Sequence, residues 1–133
     1  LSKSENQKML SNSCVEKIDF QNSDQIKKVY DYIQANFKRT ITLNEISELV
    51  NMSPVSFNRF IKKRTGQTFV TYINHTRISF ASRWLLDSDL SIGEISFMCG
   101  FNNIANFNRL FKKEKNCTPK EFRHEFVGTK RVL

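Results

Sequence analysis

The sequence predicts an all-α chain of seven helices in which a helix-turn-helix unit occurs twice, and three observations carry that expectation. Most apolar residues recur at spacings of three and four, no alternating Val/Ile/Thr run of strand length occurs, and only four Gly and two Pro punctuate the 133 residues. Two capping boxes, Thr42 with Glu45 and Ser91 with Glu94, mark helix starts. The pattern around the first box recurs around the second, at an offset of 49 before the turn and 50 after it. That alignment pairs Phe57 with Phe107, Asn58 with Asn108, Arg59 with Arg109, Lys62 with Lys112, Lys63 with Lys113 and Thr68 with Thr118. One amphipathic helix pair is a weak signal, whereas two copies sharing caps, turns and basic residues are a strong one.

Taken in order, residues 1–22 are polar and read as a linker or N-terminal arm, followed by a domain over 23–127 and a loose tail over 128–133. Ser23 with Asp24 is expected to cap a lead helix whose stripe is Ile26, Val29, Tyr30, Ile33 and Phe37. The first helix-turn-helix spans about 41–64. Ile41 and Ile46 staple its start, Asn51 supplies a residue that tolerates positive φ at the turn, and Pro54 opens its second helix. Gly66 ends that helix. A connector over about 69–86 follows, with Phe69, Tyr72, Ile73, Thr76, Ile78, Ala81, Trp84 and Leu85 placed near one side; its 18 residues would span roughly 27 Å. The second helix-turn-helix covers about 90–115, with Leu90 and Ile95 as staple and Gly100 at the turn. Thr118-Pro119 opens a last short helix through Phe122, Arg123 and Phe126.

Composition narrows the function. An apolar content of 39% with twelve Phe is enough to bury a core. The net charge is +8, and residues 1–22 contribute none of it, so the excess lies in the helical part. A basic balance points to a polyanionic partner, set against the plain alternative of a solvated basic surface. Cys14, Cys99 and Cys117 form no Cys-x-x-Cys and have no His at ligand spacing, so neither a disulfide framework nor a metal site is indicated; a reducing cytoplasm fits. No apolar run approaches the ~18 residues that span a membrane. No carboxylate pair, phosphate-cradling Gly loop or Ser/His/Asp grouping occurs at meaningful spacing, so neither an enzyme nor a cofactor is expected. The chain starts at Leu1 and reads as the C-terminal part of a longer polypeptide.

Several local patterns then add up: Asn51-Met52-Ser53-Pro54; Phe60-Ile61-Lys62-Lys63 with Thr65-Gly66; Arg77-Ile78 with Ala81 and Leu85; Cys99-Gly100-Phe101; Phe111-Lys112-Lys113; and Thr118-Pro119 before Phe122-Arg123. Together with the helix layout they resemble the DNA-binding domain of the AraC/XylS family, over about Asp24 to Arg123. The departures are Asn51 and Asn116 where that family commonly has Gly, and Ser47 and Ser96 where it favours Ala. The resemblance implies a bacterial transcription regulator whose two reading helices enter successive major grooves of double-stranded DNA. It matches the reading faces to Val55, Asn58 and Arg59, then Asn103, Ile104 and Arg109. It also implies a ligand-sensing and dimerising domain elsewhere in the full protein; with no dimer element visible, this part alone is expected to be a monomer, and the alternative function is a helical interaction module that contacts a protein such as RNA polymerase with only nonspecific DNA affinity.

Side-chain chemistry supports this independently. Asn suits bidentate pairing with adenine and Arg with guanine, which selects Asn58 and Arg59 in the first unit and Asn103, Asn106 and Arg109 in the second. Ser56 and Ala105 could add small contacts. Lys62, Lys63, Lys112 and Lys113 lie one turn further along, where phosphates are the expected partners, and amides at the capped starts Thr42 and Ser91 could meet phosphates too. Each choice has a structural alternative: Arg59 and Arg109 could pair with a glutamate, the Lys pairs could be solubilising charge, and Asn102 could only start its helix. Phe57, Phe60, Phe107 and Phe111 are read as core; Trp84 packs on the lead helix or meets another domain; His75 and His124 are read as isolated, and both, like Cys99, as structural.

Overall fold

In the computed structural model, residues 23–132 are described, with side chains through 126. The polar segment 1–22 lies outside them. Seven helices occupy the described residues: α1 (23–36), α2 (Leu43–Leu49), α3 (Pro54–Thr65), α4 (Phe69–Asp87), α5 (Ile92–Met98), α6 (Ile104–Lys115) and α7 (Pro119–Val132), with no strand among them. Ser23 and Asp24 are themselves helical, so they do not form the cap expected there.

Each helix-turn-helix starts as its sequence dictates. The Thr42 and Ser91 hydroxyls accept from the Glu45 and Glu94 amides, and both glutamates reach back to the cap amide. Both turns close in one geometry. The Met52 amide donates to the Ser47 carbonyl at 2.9 Å and the Phe101 amide to that of Ser96 at 3.0 Å; Asn51 (φ 57) and Gly100 (φ 96) hold the left-handed position between. The reading helices α3 and α6 end on Gly66 (φ 79) and Asn116 (φ 64). A third capping box, which sequence reading missed, joins Thr118 and Glu121 at the start of α7.

One core runs through the molecule. Phe57, Phe107 and Phe111 are fully buried and Phe60, half-buried, packs against the core; Cys99 is buried as well, and burial pushes its thiol up to about 11. The connector α4 touches α3, α5, α6 and α7. Its buried residues do not share one side, contrary to the expectation from spacing. Phe69, Ile73 and Thr76 line one face, whereas Ile78, Ala81 and Leu85 line another. Phe69 and Ile78 are nine residues apart, half a revolution at ~100° per residue. The reason is that the first half of α4 closes the first unit while the second half serves as lead helix to the second.

Arginines fasten the joints. Arg77 donates from Nε to the Phe37 carbonyl (2.9 Å) and from Nη2 to that of Arg39 (3.0 Å). Arg123 donates to the carbonyls of Leu85 (2.9 Å), Ser88 (3.0 Å) and Leu90 (2.6 Å), securing the loop that enters α5. Two expectations change. The last helix does not stop near 127 but continues to Val132, since Gly128 costs a helix interior only ~1 kcal/mol relative to Ala and no proline follows. His75 is not solitary: Nδ1 lies 2.8 Å from Glu114 Oε2 and joins α4 to α6. Trp84 is half-buried and shares a surface groove with Gln34, Phe37 and Lys38, which places it on the lead helix.

Candidate nucleic-acid interface

Burying Phe57 and Ile61 on one side of α3, and Phe107 and Phe111 on one side of α6, dictates which residues face water. Every candidate picked on these two helices lies on that outer side, whereas Thr42 and Ser91 cap α2 and α5. Val55, Asn58, Arg59, Lys62 and Lys63 are exposed on α3, and Asn103, Ile104, Asn106, Arg109, Lys112 and Lys113 are exposed at the start and along α6. Val55 is 68% exposed and Ile104 47%. Gly93 on α5 sits under Ile104, whose Cδ1 would lie 3.7 Å from an added Cβ. The basic residues cluster in the last turns: Lys62, Lys63 and Arg64 on α3, and Lys112, Lys113 and Lys115 on α6. There they also complement the helix dipole, a benefit that does not need a ligand.

The two reading faces differ in internal bonding. In α6, Asn103 is the N-cap: its Oδ1 accepts from the Asn106 amide at 3.1 Å. Asn106 Oδ1 in turn accepts from Arg109 Nη2 at 2.6 Å. A bidentate pair with adenine would therefore have to share an oxygen that is already engaged in both asparagines. In α3, Ser53 caps and accepts from the Ser56 amide at 3.2 Å, and neither Asn58 nor Arg59 has a side-chain hydrogen bond or ion pair among the described residues. Among the described residues neither arginine pairs with a glutamate. Asn108, the counterpart of Asn58, is exposed as well; it was passed over as a candidate although the offset of 50 marks it.

At the helix starts, the Thr42 and Ser91 amides are both occupied. Each donates at 2.8 Å to the glutamate of its own box. A phosphate arriving there would meet that carboxylate, which makes these two the weakest of the phosphate candidates. Glu45 is further held by Arg39, whose Nη2 lies 2.7 Å from Oε2, and by the Tyr32 hydroxyl at 2.5 Å. The Arg39 guanidinium, then Tyr32 and the Thr42 amide keep the Glu45 carboxyl well below the usual carboxylate range. Glu94 is also lowered, by the Ser91 amide and hydroxyl alone. This Tyr32–Arg39–Glu45 brace fixes the first unit to α1 and was invisible in the sequence.

Similarity to known proteins agrees with this geometry. Residues 46–125 match a family described as a helix-turn-helix domain. A bifunctional transcriptional activator and DNA repair enzyme of Bacillus subtilis, AdaA, is 34% identical over 101 residues, 76% of this chain and 48% of that protein. The chain thus spans about half the length of that relative. Among solved structures, the C-terminal domain of AraT, a response regulator from Geobacillus stearothermophilus, superimposes with a TM-score of 0.70 at 30% identity, covering 76% of this chain and 84% of that one. The DNA-binding domain of AdpA, solved with a target DNA, shares the fold with a TM-score of 0.73 at 20% identity, over 77% of this chain and 93% of that one.

Proposed function

The chain belongs to the AraC-type helix-turn-helix family of transcription regulators, and from that premise we propose that it reads double-stranded DNA with α3 and α6 in successive major grooves. One observation carries the reading. Two copies of the same capped unit, joined by a shared helix, each leave a reading helix with exposed Asn, Arg and paired Lys facing water. In this reading Val55 and Ile104 meet thymine methyls; Asn58, Arg59 and Arg109 read base edges; Lys62, Lys63, Lys112 and Lys113 hold phosphates. Asn103 shapes the start of α6. The chain's part is binding rather than chemistry, because the matched segment is a helix-turn-helix domain. Any response to a small molecule, and any dimer, would be a property of a longer protein. An RNA partner is disfavoured, since the deep, narrow major groove of A-form RNA does not admit a helix.

A second contact, with a protein such as RNA polymerase, is favoured by Phe97: this α5 residue is 76% exposed where the first unit has Glu48. Selecting binding sites from random duplex DNA at near-physiological salt tests the primary reading. The expected result is two short, unlike motifs about one helical turn, ~34 Å, apart. Salt-sensitive binding without a motif would overturn it and leave a nonspecific basic module.

A further inference from the structure

The second reading helix carries a chain of bonds that the first lacks. Asn103 Oδ1 accepts from the Asn106 backbone amide, which caps α6, and Asn106 Oδ1 accepts from Arg109 Nη2 at 2.6 Å, which ties the two side chains together one turn apart. At the offset of 50 the same places in α3 hold Ser53, Ser56 and Arg59. The cap bond is kept there, Ser53 Oγ to the Ser56 amide at 3.2 Å, but the serine side chain is too short to hold the arginine, and Arg59 has no hydrogen-bond or ion-pair partner among the described residues.

We propose that Asn106 is a positioning residue that sets the guanidinium of Arg109 before DNA arrives, making the second unit the discriminating half of the site and the first unit the adaptable half. The inference rests on the reading of α3 and α6 as base-reading helices. Its physical basis is the rotamer freedom of arginine. A free guanidinium must be immobilised on binding and can settle on either a base or a phosphate, which lowers its selectivity. Held by Asn106, the Arg109 fork gives up one N–H and keeps its remaining donors in a fixed direction, where a guanine edge in register is matched and a displaced one is not. Asn106 itself then contributes no bidentate pairing of its own.

Reciprocal substitution tests this, using the duplex that the wild-type chain enriches from a random pool and every single-base-pair variant of it. Asn106→Ser should cut the discrimination at one base pair of the second unit's motif by roughly fivefold to tenfold, a larger change than any in its affinity for random duplex. Asn106→Asp, which keeps the acceptor, should restore the discrimination ratio while weakening binding to all duplexes. Ser56→Asn should sharpen one position of the first motif. In an Arg109→Ala background, Asn106→Ser should change nothing further. Unaltered discrimination in Asn106→Ser, or a loss equal on all duplexes, would overturn the proposal. So would an additive loss in the double variant, which would make Asn106 a reader in its own right. If the wild-type chain enriches no motif at all, the base-reading assignment falls and the inference falls with it; enrichment with an inert Asn106→Ser sinks the inference alone.

Discussion

In the first unit the left-handed turn residue is Asn51, exposed to solvent; in the second it is Gly100, and a methyl group there would sit 2.4 Å from the Phe37 carbonyl oxygen and 2.9 Å from Arg77 Nε. The bonds that close the two turns correspond, Asn51 to Glu48 with Gly100 to Phe97 and Met52 to Ser47 with Phe101 to Ser96, although the Val50 amide reaches Ser47 where that of Cys99 reaches Ile95. Asparagine tolerates the required φ, so a turn facing water accepts it. A turn pressed against the end of α1 needs the Cβ removed. The duplicated units have thus kept their backbone and diverged where their neighbours differ: each has an arginine on the carbonyls that lead into it, Arg77 for the first and Arg123 for the second, and the first adds Arg39 and Tyr32 on Glu45.

The contrast can be broken most forcefully at the turns. Gly100→Ala should destabilise the chain by about 3 kcal/mol or more, combining positive φ with overlap against backbone, while Asn51→Gly should fall within ~0.5 kcal/mol. Equilibrium urea unfolding of the two variants measures both; similar values would show that Gly100 is not the point where the halves meet. Next comes Arg123→Ala, expected to cost about 2 kcal/mol through three lost charge-assisted bonds and to speed amide exchange around α5 ahead of α2. Uniform acceleration across both units would deny it a local role. Lys112→Ala should leave stability nearly untouched and lower the slope of log affinity against log salt by ~1 on every duplex, with Lys62→Ala doing the same from the other unit. An unchanged slope would remove that lysine from the interface.

The smallest effect at neutral pH belongs to Glu45→Gln, since glutamine still completes the capping box. That difference is fully present at neutral pH and narrows in acid. Because the folded-state pKa of Glu45 is depressed, its contribution is complete above the ordinary value of 4.5 and is lost as pH falls through the folded value. Glu45→Gln should therefore flatten the acid side of the stability profile more than Glu94→Gln, whose carboxylate has no arginine beside it. Equal flattening would mean that the Arg39 brace adds nothing to the first unit.

What could be read in advance was mostly local. Thr42 and Ser91 announced their helices because a capping box is closed within four residues, and the repeat made the Lys and Phe positions stand out. The face of α4 could not be read in the same way. Spacing registers that Phe69, Ile73, Ile78 and Leu85 are apolar, yet only the presence of two different partners explains why they point to two sides. Arg77 and Arg123 were visible in the motifs, but their acceptors are backbone carbonyls far away in sequence, which no pattern encodes. Tyr32, Arg39 and Glu45 belong to three segments that only folding brings together. Of the interface, the outward set was legible from the buried stripe, whereas the bond between Asn106 and Arg109, although local, was obscured by reading each residue alone.

The half-revolution within α4 makes this helix a crankshaft, with one throw turned toward each unit. Its angular setting is stored in residue count: removing one residue between Thr76 and Ile78 would rotate one throw by ~100° and draw it in by only ~1.5 Å. The two units would remain about as far apart as before and yet face different directions. Along this stretch the chain can change its letters but not its length, and a family built on the same shaft should vary in loops and termini while keeping the span from Thr68 to Ser88 constant.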